Sequence, residues 1–188
     1  MLKDIENSWY YKNFLDDTIT LFKLTQNKHP EIRIICFPYA GAGGFVFKEL
    51  SQYLPESVEV FAIEAPGHTH TRGVPLYEVN LLTEKYVALF LELFSFEKII
   101  LLGHSLGAYI ACDVASSLVN KGLKPNLILS AAQPPHLREK HIKLSSLSID
   151  ELVQTLAQLN GVPQSWISAP ELLELFIDTL RADFKMYE

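Results

Sequence analysis

The segment Gly103-His104-Ser105-Leu106-Gly107 sets a serine between two glycines, directly after the apolar run Lys98–Leu102 and before a helical run from Ala108 to Asn120. A serine with G-x-S-x-G spacing at a strand-to-helix junction is held in a tight, strained turn that only small flanking residues permit. Its hydroxyl then projects from the C-terminal edge of a sheet, where open α/β folds place their ligands, with the positive end of a helix behind it. The chemistry that suits this arrangement is nucleophilic attack on an acyl carbonyl, with Ser105 as the nucleophile. A serine in an ordinary strand–helix turn is the plainer alternative, and the context on both sides favours the nucleophile.

Acyl transfer also needs donors for the oxygen that becomes negative in the tetrahedral intermediate. The amide of Leu106, directly after the nucleophile, is one expected donor. The second is expected from the glycine-rich loop Pro38-Tyr39-Ala40-Gly41-Ala42-Gly43-Gly44, with the amide of Ala40 preferred. A phosphate cradle is the competing reading of that loop, but the lysine and Ser/Thr of a P-loop are missing from it.

The elements that must position these groups alternate. Thr18–Leu24, Glu31–Phe37, Val58–Ala62, Lys98–Leu102 and Leu127–Ala131 read as strands. A helical pattern runs through Phe45–Leu54, another buries Leu82, Tyr86, Leu89, Phe90 and Leu93 on one face, and a third spans Ala108–Asn120 with Gly122 as its C-cap. That alternation predicts the α/β class, a parallel sheet with helices on both faces. After Pro134-Pro135 the pattern changes to leucine-rich helices over Ser148–Leu159 and Pro170–Phe184, separated by Asn160-Gly161-Val162-Pro163. The expected organisation is a single domain, with a core over 1–134 and a helical lid region over 135–188.

Composition sets bounds. The 188 residues suffice for one domain, and a formal charge of −6 offers no basic face for nucleic acid. Cys36 and Cys112 lie in apolar segments and read as buried free thiols. The first residues, with Lys3, Asp4 and Glu6, lack the form of a signal peptide, and no apolar run is long enough for a membrane helix. No membrane association and a cytoplasmic location are expected.

Taken in order, Cys36-Phe37-Pro38-Tyr39-Ala40-Gly41, Ala65-Pro66-Gly67 with Arg72, and Gly103 to Ala108 resemble the successive signatures of type II thioesterases. These are the stand-alone editing hydrolases of nonribosomal peptide and polyketide (antibiotic) biosynthesis. Ser130-Ala131-Ala132 with Pro134-Pro135-His136, Leu159 to Pro163, and Leu180-Arg181-Ala182-Asp183 match later landmarks. The resemblance implies an α/β-hydrolase fold, here without its last strands, and a mobile lid from Pro135 onward. It implies Ser105 as the acylated nucleophile, and the amides of Ala40 and Leu106 as the oxyanion hole. The implied partner is an acyl or peptidyl carrier protein bearing a phosphopantetheine arm, with no cofactor or metal. His68 stands where the family commonly has arginine. An esterase or acyltransferase of the same fold, and a non-catalytic carrier-binding module, are the alternatives.

In the resembled family the triad acid and histidine follow strands beyond the lid, so neither maps onto a residue here. Of the histidines present, His104 reads as a packing or hydrogen-bonding residue. His136 and His141 lie at the start of the lid. His68 and His70 form a spaced pair without a third metal ligand. Asp113 and Asp183 read as helix-surface or structural residues. Arg138, Lys140, His141 and Lys143 form a basic cluster that is either a solvated loop face or a contact for an acidic carrier.

Overall fold

The computed structural model describes residues 10–12, 18–27, 29–94, 98–134, 143–158 and 176–188. Their sheet is built from β1 (Tyr10–Lys12), β2 (Thr20–Lys23), β3 (Ile32–Phe37), β4 (Val58–Glu64), β5 (Ile99–His104) and β6 (Asn126–Ser130), in the order β1-β2-β4-β3-β5-β6. The pairs β3–β4, β3–β5 and β5–β6 are parallel, while β1–β2 and β2–β4 are antiparallel.

The apolar strand sequences serve two faces. Ile35, Phe37, Phe61, Ile63, Ile99 and Leu101 pack with helices α2 (Val79–Leu93) and α3 (Leu106–Val119). Their alternates Ile34, Cys36, Val60 and Ala62 pack with Phe47 and Leu50, from a 3-10 turn at Gly44–Phe47 and the single-turn helix α1 (Lys48–Ser51). The continuous β-branched run in β3 is thus explained by burial on both sides. Coverage is unequal: two long helices lie on the first face and a short turn on the second.

The strand order and one strand end add to the sequence reading. β4 lies between β2 and β3. β4 runs on to Glu64, a residue with no exposed surface, because the surrounding loops supply hydrogen-bond donors to its carboxylate. β1, in a segment to which the sequence reading assigned no element, extends the antiparallel edge.

The helix ends follow their sequence signals. Gly122, at φ 83°, closes α3, with Leu123 N–H donating to Leu118 O and Gly122 N–H to Val119 O, the paired bonds of a Schellman motif. Ser148 and Glu151 exchange side-chain-to-amide bonds across the start of α4 (Ile149–Gln158), a capping box. The last described helix is α5 (Ile177–Lys185).

β6 differs from the rest. All its residues are exposed, with Leu127, Ile128 and Leu129 at 41–46%, and its outer edge is unpaired among the described residues.

Across β2, β4 and β3, Glu59 accepts from Lys23 Nζ at 2.8 Å and from Arg33 Nε at 2.9 Å, with Lys23 and Glu59 almost wholly buried. Removing one member of such a group strands a charge away from water, at a cost of about 3–5 kcal/mol. Glu59→Ala is therefore expected to lower the urea unfolding free energy by that amount, read from the shift in transition midpoint.

Candidate active site

β5 passes directly into α3 through Ser105, whose backbone stands at φ 54°, ψ −118°. A non-glycine residue held there stores about 1–3 kcal/mol of strain. The neighbours enforce it. A Cβ at Gly103 would lie 2.2 Å from the carbonyl oxygen of Gly107. A Cβ at Gly107 would lie 2.1 Å from Phe37 O and 2.5 Å from Pro38 O. Both positions therefore admit hydrogen alone. Ser105 N–H donates to Ser130 O at 2.8 Å, tying the turn to the end of β6. The amide of Leu106 opens the helix, where an N–H has no intrahelical acceptor.

The close approach of Gly107 also fixes the glycine-rich loop. Phe37, the last residue of β3, is in register with Gly103, so Pro38–Gly44 begins beside the serine turn. Ala42 N–H closes a turn onto Tyr39 O at 3.0 Å, and Gly41 adopts φ 75°. Two buried carboxylates hold the loop. Gly41 N–H donates to Asp183 Oδ2 at 2.7 Å, and Gly44 N–H to Glu64 Oε2 at 3.0 Å. Glu64 also accepts from His70 N–H at 2.7 Å and Thr71 Oγ1 at 3.0 Å. With these amides engaged, Ala40 N–H has no acceptor among the described residues. A recess lined by Tyr39, His68, Tyr86, Leu106, Asp183 and Met186 lies between loop and helix. Leu152, Leu156 and Leu180 of α4 and α5 form an apolar cluster that rests on Ala40.

The structure therefore brings Ser105, Leu106 and the Tyr39–Gly41 stretch together at one end of the sheet. The histidines described next contact groups other than the Ser105 hydroxyl. His104 Nδ1 lies 3.2 Å from Ser130 Oγ, and its ring meets that of Tyr39 edge-on, as a hydrogen-bonding residue would. His70 lies beside Glu64 and packs against Phe22 and Phe45. His68 has both ring nitrogens committed: Nε2 is 3.0 Å from Asp183 Oδ2, and Nδ1 is 3.3 Å from Pro66 O. Burial alone would lower its pKa. The hydrogen bond and charge of Asp183, the Pro66 carbonyl and Glu64 outweigh burial and raise it above the ordinary value. No imidazole among the described residues is hydrogen-bonded to Ser105 Oγ, and His136 and His141 lie outside those residues.

Asp183 is not on a helix surface; it is 3% exposed, because α5 turns the face carrying Thr179, Leu180, Asp183 and Met186 inward. Asp113 accepts from Tyr187 Oη at 2.9 Å, a structural tie between α3 and the residues after α5. No cluster of three metal-binding side chains occurs among the described residues. Burial pushes the Cys36 thiol up to about 12, so it is inert at neutral pH. Of the basic cluster, only Lys143 is described, and it is exposed.

A mostly parallel sheet with a serine turn and a glycine-rich loop at its C-terminal edge defines the α/β-hydrolase class. The sequence model of the Thioesterase domain matches residues 32–188, and the chain belongs to that family. Among its relatives is the gramicidin S biosynthesis protein GrsT of Aneurinibacillus migulanus, 32% identical over 168 residues, which cover 85% of this chain and 63% of that protein. The medium-chain S-acyl fatty acid synthase thioesterase of Rattus norvegicus is 30% identical over 165 residues, again covering 85% and 63%. The chain thus spans less than two thirds of the length of these relatives. Of solved structures, the RedJ thioesterase of the prodiginine pathway in Streptomyces coelicolor superposes with a TM-score of 0.78 at 27% identity, covering 84% of this chain and 63% of that one. The type II thioesterase BorB of the borrelidin cluster gives 0.78 at 25% identity, covering 94% and 72%. The resemblance to type II thioesterases is borne out.

The strain at Ser105 yields a measurable consequence. Glycine accepts this backbone without strain but loses about 0.5–1 kcal/mol more in chain entropy. Ser105→Gly is expected to be more stable than the parent by about 1 kcal/mol, seen as a higher melting temperature.

Proposed function

We propose that the protein hydrolyses acyl or aminoacyl thioesters carried on the phosphopantetheine arm of a carrier protein, with Ser105 as the nucleophile. In the acylation step Ser105 Oγ bonds to the thioester carbonyl carbon and gives up its proton to a base. The amides of Leu106 and Ala40 receive the resulting oxyanion. The carbon–sulfur bond then breaks, the thiolate takes a proton, and water releases the acid from the serine ester. The described residues contain no base on Ser105, so the proposal assigns proton transfer to a group outside them.

The observation that carries this reading is the forced backbone of Ser105 beside a loop in which carboxylates hold the Gly41 and Gly44 amides and the Ala40 amide has no acceptor among the described residues. One lost donor of this kind costs about 2.7–4 kcal/mol of barrier in acyl transfer, which is the contribution this reading assigns to the Ala40 amide. The apolar cluster of α4 and α5 over Ala40 supports the reading of residues 135–188 as a lid over an acyl chain. Carrier-protein partnership rests on relatives named for gramicidin S and anguibactin biosynthesis, and a cytoplasmic location accompanies it. No described helix is long and apolar enough to cross a membrane.

A second reading, a carrier-binding module without catalysis, is favoured by the lack of an imidazole on Ser105 among the described residues. Incubation with a fluorophosphonate followed by intact-mass measurement separates the two. The hydrolase reading expects one adduct, absent from Ser105→Ala. It also expects faster release from acyl-carrier thioesters than from p-nitrophenyl esters, falling by a factor on the order of 10⁴ or more in Ser105→Ala. A folded protein that neither labels nor turns over thioester supports the module.

A further inference from the structure

Asp183 reaches from α5 into the glycine-rich loop. Its Oδ2 accepts from Gly41 N–H at 2.7 Å and from His68 Nε2 at 3.0 Å, and the side chains of Asp183 and His68 are 5% and 6% exposed. The same helix grips both loops at further points. A Cβ at Gly41 would lie 2.6 Å from Leu180 Cδ1, and Thr179 Oγ1 donates to Gly67 O at 2.9 Å.

The charge state of the pair follows from what surrounds it. Both nitrogens of His68 face acceptors, the Asp183 carboxylate and the Pro66 carbonyl. A neutral imidazole has a single N–H and would present a lone pair to one of them, so the imidazolium alone satisfies both. The groups facing His68 are Asp183 from α5, Glu64 from the end of β4, and Tyr86 from α2. Tyr86 is fully buried and held neutral, by burial first and then by the charges of Asp183 and Glu64. Arg181, on the same helix as Asp183, donates instead to Leu147 O. Among the described residues, protonated His68 is the cation that faces Asp183.

We propose that Asp183 is a positioning residue: paired with protonated His68, it fixes the Gly41 amide and so sets the loop that presents Ala40, and deprotonation of His68 loosens that hold. This rests on the reading of Pro38–Gly44 as the oxyanion loop. The His68 pKa is raised in the folded protein, so the clasp is complete below the ordinary value of 6.5 and weakens as pH rises through the raised value.

The test is hydrogen exchange of the Gly41 amide, as a protection factor corrected for intrinsic rate, alongside NMR titration of the His68 ring. Gly44, held by Glu64, serves as the internal reference. In the parent chain, Gly41 protection is expected to fall about tenfold as His68 titrates, while Gly44 protection holds. His68→Arg keeps a permanent cation and is expected to flatten the dependence. Asp183→Asn is expected to lower Gly41 protection throughout. With acyl-carrier thioester, Asp183→Asn should reduce kcat more than it raises KM. Gly41 protection that stays level through the His68 titration overturns the clasp, as does a His68→Arg profile identical to the parent's. If Asp183→Asn fails to fold, the parent and His68→Arg profiles decide. Failure of Ser105 to label alongside a titrating Gly41 defeats the hydrolase reading and leaves the clasp standing. A labelled Ser105 with level Gly41 protection does the reverse.

Discussion

The backbone of α3 at Gly107 lies against the carbonyls of Phe37 and Pro38 at distances no side chain could occupy, and the rest of the site depends on that contact. It follows from the parallel pairing of β3 with β5, which sets Phe37 level with Gly103. Once the strands are in register, the serine turn and the glycine-rich loop must leave the sheet side by side. The fold energy of two buried strands thus maintains a junction that is unfavourable for Ser105 itself. Local strain persists because global packing leaves no alternative.

Much of this was legible in the sequence, and for identifiable reasons. Gly103, Ser105 and Gly107 announce themselves because their spacing encodes a backbone requirement rather than a contact. The apolar runs of β3 and β5 read as strands, and Gly122 and Ser148 mark helix ends through hydrogen bonds made within a few residues. Pairing order was less accessible. Nothing in Gln26–Pro30 says that β4 will insert between β2 and β3, since that choice is made by packing between distant segments. Asp183 was ambiguous for a similar reason. It shares a helical stripe with Leu180 and Met186, which signals burial, but a carboxylate on an apolar stripe declares no partner until Gly41 and His68 arrive.

The buried polar groups divide by task. Lys23, Arg33 and Glu59 satisfy one another between strands and touch nothing at the sheet's functional end. Glu64 and Asp183 instead spend their acceptor capacity on loop amides and leave Ala40 out. A loop of small residues has no side chains with which to anchor itself, so neighbouring carboxylates supply its rigidity. α5 consequently belongs energetically to the core: Met186 joins the main apolar cluster, and Tyr187 reaches Asp113 on α3.

The Gly41–Asp183 bond joins residues 142 positions apart. A ribosome making this chain completes the serine turn and the glycine-rich loop long before α5 exists. Synthesis proceeds at about 5–20 residues per second, so the loop spends several seconds without its carboxylate anchor. Throughout that interval the nascent polypeptide carries the strained Ser105 turn beside a loop that is not yet held. Assembly order alone therefore leaves the glycine-rich loop without its Asp183 anchor until α5 has been translated.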